Sequence, residues 1–372
     1  MAGPLRIGVN ALFLIPGGVG GTEIYLRNLL SALAEIDAAN QYFVFLNAET
    51  ETALAPAAAN FHVVPCPVRA VHRPLRLLWE QLCLPVQAAA RRLDVLFSPG
   101  FTSPLAAFGC RKVTVIHDLQ HVRQPQNFGR LELAAWRAAV WISAHFSRQI
   151  ITVSESSRRD IREVYGVPLE RVHSIGHGVE RAFCEPSPLG RRLAEPYLLS
   201  VSTIHPHKNW ERWLEAYRRL TAEGFPHRLV IAGLKGNYSL ELDRVIEDKG
   251  LRDRVHPVGW VPRPELVAWF QFADALVFPS TFEGFGMPVL EAMGAGVPVA
   301  CSDIPPLREA AGPAAQFFDP YSVDSIAAAV RRLLTDEELR RRLVALGQEN
   351  AANFTWTRAA EQTLSVLRSA VG

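Results

Sequence analysis

The chain has 372 residues, and since a single hydrophobic core stops growing at about 250–300 residues, this length predicts two domains. Hydrophobic residues make up 49% of the chain, charged residues 20%, and the formal net charge is +2, which is typical of an ordinary globular protein and excludes a strong field for nucleic acid. The five cysteines are scattered and include no CxxC pair, so the sequence indicates no disulfide framework, no zinc knuckle and a reducing, cytoplasmic setting.

Predicted strands and helices alternate in the first half of the chain. A buried strand over residues 6–12 leads into a glycine run at residues 17–21 and then into a helix over residues 22–36, where apolar residues recur at helical spacing. Ser154 is expected to cap the last helix of this half. This alternation predicts a parallel sheet covered by helices on both faces. The remaining predictions are strands at 42–46, 61–64, 95–97, 113–117 and 150–153 and helices at 79–91, 131–146 and 156–164.

The alternation stops around residues 184–195, where Pro186, Pro188, Gly190 and the following Pro196 predict a linker, and then begins again. The chain is therefore expected to form two Rossmann-like halves. Ligands of such sheets bind beyond the carboxyl ends of the strands, so a cleft between the two domains is the expected site. The second half predicts strands at 197–201, 228–232, 255–258, 275–278 and 297–301 and helices at 210–222, 240–249, 264–273, from 287 onward, 322–334 and 337–353.

The segment PSTFEGFGMPVLEAMGAGVP, residues 279–298, carries the most informative functional pattern. Glu283 precedes the loop Gly284-Phe285-Gly286, and Glu291 lies in the helix that follows. Backbone N–H groups at a helix N-terminus lack intrahelical partners and favour anions, while carboxylates accept hydrogen bonds from sugar hydroxyls. The pattern indicates a site for a polyhydroxylated ligand that carries phosphate. The alternative is an ordinary strand-turn-helix with solvated glutamates, but the apolar neighbours on both sides favour partnered carboxylates.

Two further segments could contact phosphate. The glycines at residues 17–21 allow close backbone approach to a diphosphate, or form a plain tight turn, and they lack the third glycine of GxGxxG, so a nicotinamide cofactor is not indicated. Lys208 lies where the loop after strand 197–201 enters the next helix. A cation there would neutralise phosphate charge, unless it is simply a surface lysine. No Gly-Lys-Ser/Thr sequence is present, so a P-loop is excluded.

His117 and Asp118 stand at the end of a predicted strand, where polar side chains face a cleft more often than a core. The alternative is a hydrogen-bonded core histidine. His205 and His207 have no third ligand at close spacing, and the chain contains no DxD triplet, so no metal is expected.

The segment over residues 69–79 mixes three arginines with leucines and Trp79, so it could rest on anionic lipid headgroups; the alternative is a packed helix with a solvated basic face. Because the chain has no stretch of about 18 uncharged apolar residues, no membrane-spanning helix is expected. No basic region followed by a long apolar run is seen, so no signal peptide is expected either. The expected location is cytoplasmic, with contact to the inner face of the membrane as an option.

Together these segments resemble the retaining, nucleotide-sugar-dependent glycosyltransferases of family 4, which have the GT-B fold. The resemblance covers essentially the whole chain, and its most specific part is the E-x7-E element formed by Glu283 and Glu291. Gly20-Gly21-Thr22-Glu23 matches the family's glycine loop, His117-Asp118 its histidine strand end and Lys208-Asn209 its lysine loop. The stretches VTVIHDLQHVRQPQNF and STIHPHKNW further resemble a mannosyltransferase-like branch that builds bacterial surface polysaccharides.

The resemblance implies an α/β protein with an acceptor-binding domain over residues 1–190, a nucleotide-sugar-binding domain over 191–355 and a helix over 356–372 that returns to the first domain. Glu283 would hold sugar hydroxyls beside the backbone N–H groups of Gly284, Phe285 and Gly286, and Glu291 would bind the ribose. Lys208 and the backbone of Gly20 and Gly21 would stabilise the departing diphosphate. His117 would contact the transferred sugar, the backbone at Val258 would meet the base, and Asp118 would face the acceptor.

One position departs from the family pattern. Many members carry an arginine where Thr203 stands, so phosphate binding would have to rely on His205, His207 or another arginine. The implied activity is metal-independent, retaining hexosyl transfer without a cofactor, in lipopolysaccharide or related polysaccharide synthesis. GDP-mannose is the first expected donor and a UDP-sugar the second, with a glycan or lipid-linked glycan as acceptor.

Three other functions are weighed against transfer. A sugar-nucleotide 2-epimerase would share the two-domain layout but convert the donor alone, and a non-catalytic nucleotide-sugar-binding protein would never release nucleoside diphosphate. A glycosidase is disfavoured, because its two carboxylates must flank the scissile bond at roughly 5–10 Å.

Overall fold

The computed structural model describes residues 3–18 and 20–372, and it divides the chain into two compact units. The first unit comprises Met1–Gly178 and Trp356–Gly372, and the second comprises Val179–Thr355. The sequence predicts that the first domain ends at residue 190, but in the structure the boundary lies earlier, between Gly178 and Val179. Residues 179–190 belong to the second unit because Phe183 packs edge-to-face against Phe270 and because Gln271 donates hydrogen bonds to the carbonyl oxygens of Phe183 and Glu185.

The first unit is built on a seven-stranded sheet in which every pair of neighbouring strands is parallel. The order is β3-β2-β1-β4-β5-β6-β7, so the switch point, where the chain reverses its direction across the sheet, lies between β1 and β4. The strands are β1 (Arg6–Asn10), β2 (Gln41–Leu46), β3 (Phe61–Pro65), β4 (Val95–Ser98), β5 (Arg111–Val115), β6 (Gln149–Thr152) and β7 (Val172–Ser174).

Helices cover both faces of this sheet. Side chains alternate along β4, so that Val95 and Phe97 join one core while Leu96 joins the other. The first core also takes the buried faces of α1 (Gly21–Ile36) and α14 (Trp356–Val371), which shows that the C-terminal helix returns to the first unit. The opposite face is covered by α2 (Arg73–Ala90), α4 (Arg130–Phe146) and α5 (Glu155–Tyr165), and the short α3 (Gln120–Arg123) precedes α4.

The second unit repeats this architecture with six parallel strands in the order β10-β9-β8-β11-β12-β13. Its switch point lies between β8 and β11. The strands are β8 (Tyr197–Val201), β9 (Arg228–Ala232), β10 (Val255–Gly259), β11 (Ala275–Phe278), β12 (Val299–Ser302) and β13 (Gln316–Phe318). The helices are α6 (Arg181–Cys184), α7 (Trp210–Ala222), α8 (Ser239–Asp248), α9 (Arg263–Gln271), α10 (Met287–Gly294), α11 (Pro305–Ala311), α12 (Val323–Thr335) and α13 (Glu337–Ala352).

This architecture confirms the predicted α/β class, the two Rossmann-like units and the returning helix. Ser154 caps α5 as predicted, with its side chain accepting the backbone N–H of Ser157. The strand predicted at residues 113–117 ends earlier, at Val115, so His117 lies in the loop beyond it. The elements that the sequence did not predict are short or proline-rich: β7, β13, α3, α6 and α11.

Candidate active site

An ion pair lies at the switch point of the second sheet. Lys208 is in the loop that follows β8, and Glu283 is in the loop that follows β11. The Nζ of Lys208 donates to Oε1 of Glu283 at 2.6 Å, and each side chain is only 13% exposed. The two charged residues that the sequence placed on separate loops are therefore in direct contact, at the position where open α/β sheets bind ligands.

Neighbouring hydrogen bonds hold the two loops together. Asn209 adopts a left-handed conformation with φ 60°, and its buried Nδ2 donates to the carbonyl oxygens of Pro279 at 3.1 Å and Pro320 at 2.6 Å. The backbone N–H of Thr281 donates to the carbonyl of His207 at 2.8 Å. Because these bonds fix the backbone on both sides of Lys208 and in the segment that leads to Glu283, the ion pair is preorganised rather than held by its own charge alone.

The glycine turn before α10 requires its last glycine. Gly286 precedes the first helical residue with φ 114° and ψ 46°, a conformation that L side chains rarely adopt. An added Cβ would lie 2.5 Å from Cδ2 of Leu307, so the Leu307 side chain would have to shift to make room for it. Pro288, the second residue of α10, has no N–H, and the N–H of Val289 donates to the carbonyl of Gly286 at 3.0 Å. The backbone N–H groups that the turn itself can present beside Glu283 are therefore those before Pro288.

Glu291 lies one turn into α10 and is buried, with its side chain 8% exposed. Nη2 of Arg263 donates to Oε1 of Glu291 at 2.7 Å and also to Oε1 of Glu180. Burial alone would lower the pKa of the Arg263 guanidinium, but the charges and hydrogen bonds of Glu291 and Glu180 raise it above its ordinary value. Arg263 thus fixes the position of the buried Glu291 carboxyl group through a direct hydrogen bond.

His117 is buried in the first unit, just beyond the carboxyl end of β5. Its Nε2 lies 2.9 Å from the carbonyl oxygen of Pro99, and since a carbonyl only accepts, this contact places the ring proton on Nε2. Tyr25 packs edge-on against the ring at 5.0 Å between centroids, and His177 lies at 5.9 Å. Burial lowers the pKa of His117 to about 4, so the imidazole is neutral at physiological pH.

The glycine run lies beyond β1, at the switch point of the first sheet. Gly20 has φ 57° and precedes Gly21, the first residue of α1. The backbone N–H of Gly17 donates to Oε2 of Glu23 at 2.8 Å, which closes the turn onto the first turn of the helix. Val19 lies outside the described residues. Asp118, next to His117, accepts the backbone N–H of Gln120, the first residue of α3, at 2.9 Å.

Comparison with known proteins identifies the family. The model of the Glycosyltransferase Family 4 matches residues 19–183, and that of the Glycosyl transferases group 1 matches residues 185–350. The O-antigen chain mannosyltransferase B of Escherichia coli is 30% identical over 268 residues, which cover 69% of this chain and 70% of the relative. The chain belongs to glycosyltransferase family 4.

Other similar proteins agree with this family assignment. The MMP alpha-(1->4)-mannosyltransferase of Mycolicibacterium hassiacum is 30% identical over 243 residues, covering 63% of this chain and 58% of that relative. The crystal structure of Anabaena HepE in complex with UDP and glucose superimposes with a TM-score of 0.78 at 20% identity, over 98% of this chain and all of HepE. At that identity the likeness concerns the GT-B fold alone.

Thr203 is half-buried in the loop that follows β8 in this family 4 chain. The sequence offered His205, His207 or another arginine as the groups that would bind phosphate near it. Burial, together with the charges of Lys208 and His205, lowers the pKa of His207 to about 2, so His207 stays neutral and adds no positive charge. His205 contacts Oδ1 of Asn237 through its Nδ1 at 2.7 Å. Arg212 donates to Oδ1 of Asn209 at 3.1 Å, which places an arginine beside the lysine loop.

Arg263 is the site residue that sequence reasoning missed. Its partners lie far away in the sequence, at Glu180 and Glu291, so no local spacing reveals the contact. One signal was available: Arg263 is the first residue of α9, where the helix dipole disfavours a cation, so an arginine there implies carboxylates nearby. Val258, predicted to meet the base, lies in β10 beside a register shift at the same carboxyl edge of the sheet.

The described residues give three further results. Across residues 3–18 and 20–372, no group of three or more His, Cys, Asp and Glu side chains is arranged to hold a metal ion. Within the same ranges, no helix has the length and apolar character needed to cross a bilayer. The five cysteines are free thiols.

Proposed function

We propose that this family 4 enzyme is a retaining hexosyltransferase of surface polysaccharide synthesis, which moves a hexose, mannose in the first instance, from a nucleoside-diphosphate sugar to a glycan or lipid-linked glycan. The observation that carries the proposal is the contact of Lys208 with Glu283 at the switch point, beside the glycine turn of α10. Similarity to the E. coli O-antigen mannosyltransferase supports the sugar and the pathway class.

The ion pair suits the departure of a diphosphate. An ammonium group has three donors, and Glu283 takes one of them, so Lys208 can turn the others toward phosphate oxygens while Glu283 accepts sugar hydroxyls. The N–H groups of Gly284, Phe285 and Gly286 are proposed to stabilise the same developing charge. Such preorganised donors act where charge forms in the transition state, which is usually the largest single contribution to catalysis.

The proposed reaction keeps the anomeric configuration. The bond between the anomeric carbon and the diphosphate breaks, an oxocarbenium-like sugar forms, and the acceptor hydroxyl attacks from the same face. The departing nucleoside diphosphate takes the acceptor proton, so the products are the glycoside and the protonated diphosphate. Neither a metal nor a cofactor takes part in the proposal. Glu291, held by Arg263, is proposed to accept the ribose hydroxyls.

The first unit is proposed to contribute His117, the glycine loop and Asp118. A neutral imidazole with its proton on Nε2 can accept a hydrogen bond at Nδ1 but cannot act as a general acid near neutrality, so His117 is assigned to sugar contact and not to proton transfer. The backbone of Gly20 and Gly21 is proposed to meet the diphosphate, and Asp118 to face the acceptor. Thr203 and Val258 are proposed to contact the phosphates and the base.

GDP-mannose is proposed as the donor because the similar curated proteins include mannosyltransferases, and a UDP-sugar is the second candidate because HepE was crystallised with UDP. Thermal-shift measurement against a panel of nucleotide sugars tests this choice. The cognate donor should raise the unfolding midpoint most, since binding to the folded state stabilises it by mass action. A panel in which no nucleotide sugar shifts the midpoint would contradict donor binding.

The catalytic role is tested with Lys208→Ala. We expect turnover to fall by about 10² or more, as for removal of one preorganised donor, while the fold is retained. The assay is nucleoside diphosphate release with donor and acceptor present. Arg218→Ala is the matched control, because Arg218 is an exposed cation of the same unit that pairs with Glu215 on the surface of α7.

The same assay separates the alternatives. Wild-type turnover in Lys208→Ala would contradict the proposed role of Lys208 in the departure of the diphosphate. Conversion of the donor without an acceptor would point instead to a 2-epimerase, and donor binding without diphosphate release to a binding protein. A cytoplasmic location is proposed, because nucleotide sugars are the proposed donors and the cysteines are free.

A further inference from the structure

The first unit exposes an apolar surface on two helices that lie on the same side of its sheet. α2 packs its inner side on the core that contains Leu96, and α4 packs on the core that contains Ile150, both opposite the side taken by α1 and α14. Residues at least 47% exposed on these two helices and on the loop between β4 and β5 are Leu75, Leu78, Leu82 and Val86 on α2, Leu105 and Phe108 in the loop, and Leu131, Trp141 and Phe146 on α4.

On α2 the exposed residues form a stripe. Leu75, Leu78, Leu82 and Val86 recur at intervals of three and four residues, so they share one side of the helix, while the buried Leu84 and the ion pair of Arg76 with Glu80 occupy the other. A helix with a solvated basic outer face, the alternative raised by the sequence, is therefore not what the structure contains. The stripe borders a groove of about 400 Å³ that Pro67, Val68 and Trp79 also line.

Hydrogen bonds join α2, the loop and α4 into one surface. Gln81 of α2 accepts the backbone N–H of Leu105 at 2.8 Å, and Ser143 of α4 accepts that of Ser103 at 3.0 Å. At the start of the two helices, Arg73 pairs with Glu132 at 2.6 Å. We name this surface, with the apolar residues given above, the α2–α4 face. A patch of this extent on a monomer usually marks a contact with a partner or a membrane.

The charge around the α2–α4 face is positive. Residues 69–92 and 130–148 contain two carboxylates, Glu80 and Glu132. Glu80 is fully buried and paired with Arg76, and Glu132 is paired with Arg73, so neither leaves a free negative charge at the surface. The arginines of these two segments, apart from buried Arg76, are exposed or half-buried: Arg69, Arg73, Arg91, Arg92, Arg130, Arg137 and Arg148.

We propose that the α2–α4 face docks on the surface of an anionic lipid bilayer. Apolar side chains would enter the acyl boundary and the arginines would meet phosphate headgroups, the arrangement that interfacial helices use. A second copy of this chain is a poorer occupant, because a symmetric contact would bring the same arginines face to face. The inference rests on the proposed function only in that a bound enzyme would meet a lipid-linked acceptor at this surface.

The test is co-sedimentation of the purified full chain with vesicles that contain neither donor nor glycan acceptor. We expect binding to vesicles of phosphatidylcholine with phosphatidylglycerol, weakened by salt, and little binding to phosphatidylcholine alone. Leu78→Ser with Leu82→Ser should lower the partition coefficient by about tenfold or more through lost apolar insertion. Arg130→Gln with Arg137→Gln, two exposed arginines of α4, should lower it by about fivefold for each arginine.

Leu240→Ser is the matched control, because Leu240 is an 81% exposed leucine on α8 of the second unit and should leave binding unchanged. Equal loss in that control, or a wild-type chain that stays in solution with anionic vesicles, overturns the proposal. So does a concentration-dependent dimer that Leu78→Ser with Leu82→Ser dissolves, since it identifies a second copy as the occupant. Because the vesicle assay measures binding and not turnover, absence of vesicle binding would not contradict the proposed transfer reaction. Absence of transfer activity would likewise not contradict vesicle binding.

Discussion

The guanidinium of Arg263 pairs with two carboxylates of the second unit. Glu291 sits in α10, and Glu180 lies two residues after the boundary between the units, so one side chain ties the proposed ribose acceptor to the segment where the chain enters the second unit. A buried carboxylate without its cation is unfavourable, because desolvation is no longer offset. We therefore infer that Arg263 is a positioning residue, which orients Glu291 through their direct hydrogen bond.

Arg263→Ala should destabilise the protein by about 2 kcal/mol or more, because it leaves two partly buried carboxylates facing each other. We expect the KM for the donor to rise by about tenfold while kcat changes less, since the effect acts through Glu291 on binding. The KM of Arg263→Lys should lie between those of the wild type and Arg263→Ala. Donor kinetics and chemical unfolding measure both effects.

The control for this pair is Arg308→Ala. Arg308 pairs with Asp303 at the surface of the same unit, with side chains 58% and 38% exposed, so its loss should leave the stability of the protein nearly unchanged. A donor KM that stays at the wild-type value in Arg263→Ala would show that Glu291 needs no partner and would remove the positioning role.

At the scale of elements, the site depends on how α10 begins. The helix starts directly after a glycine that combines positive φ with a close approach to Leu307, so the direction of the turn and the packing of α11 are set by the same residue. Glu283 before the turn and Glu291 after it keep their spacing only if the turn keeps this shape. The E-x7-E pattern thus depends on one turn and the helix directly after it. Because both are local in the chain, the pattern could be interpreted from the sequence.

Gly286→Ala should cost about 1–3 kcal/mol, since alanine is strained at positive φ and its methyl group meets Leu307. Donor binding should weaken with it, because the N–H groups of the turn move. Gly190→Ala is the control: Gly190 is exposed, has open space around its Cα and no positive φ. Thermal shift with and without donor measures both changes. Equal donor binding in the two variants would show that the turn does not form part of the donor site.

Elements with a long periodic or apolar pattern could be predicted closely. Three elements have the predicted bounds: the strands Arg228–Ala232 and Ala275–Phe278 and the helix Trp210–Ala222. In a buried strand or an amphipathic helix, the pattern of apolar residues shows directly which side chains are buried. The three-residue β13 and the proline-led α11 are too short to show a period. α2 begins at Arg73, before the predicted residue 79, because Pro74 is compatible with the first turn of a helix.

The candidate site likewise contains residues that could be predicted from the sequence and contacts that could not. Lys208, Glu283 and Glu291 could be predicted because each belongs to a local motif with a chemical meaning. The contact of Lys208 with Glu283 could only be expected from topology, as both follow strands beside the switch point. The pairing of Arg263 and the double role of Asn209 as donor to two carbonyls depend on residues distant in sequence, so only the folded chain reveals them.

At the scale of the whole molecule, buried neutral histidines make stability depend on pH. Burial lowers the pKa of His117 from 6.5 to about 4, and burial together with the charge of His117 lowers that of His177 well below its ordinary value. Between about pH 6.5 and pH 4 the unfolded chain binds protons that the folded chain does not, so stability is full above pH 6.5 and falls as the pH drops through this window. His117 alone would account for roughly 3 kcal/mol of this loss.

His117→Gln should flatten that dependence. Glutamine keeps a donor for the carbonyl of Pro99 but does not titrate, so the variant starts from a lower stability at pH 7 and loses less on acidification to pH 4. The measurement is the thermal unfolding midpoint at intervals across the window, and the difference between the two pH limits is compared within each protein. An equal drop in wild type and variant would mean that His117 is already protonated in the folded chain, or that its burial is lost before the window is crossed, and either result would contradict a neutral His117 at the proposed sugar site.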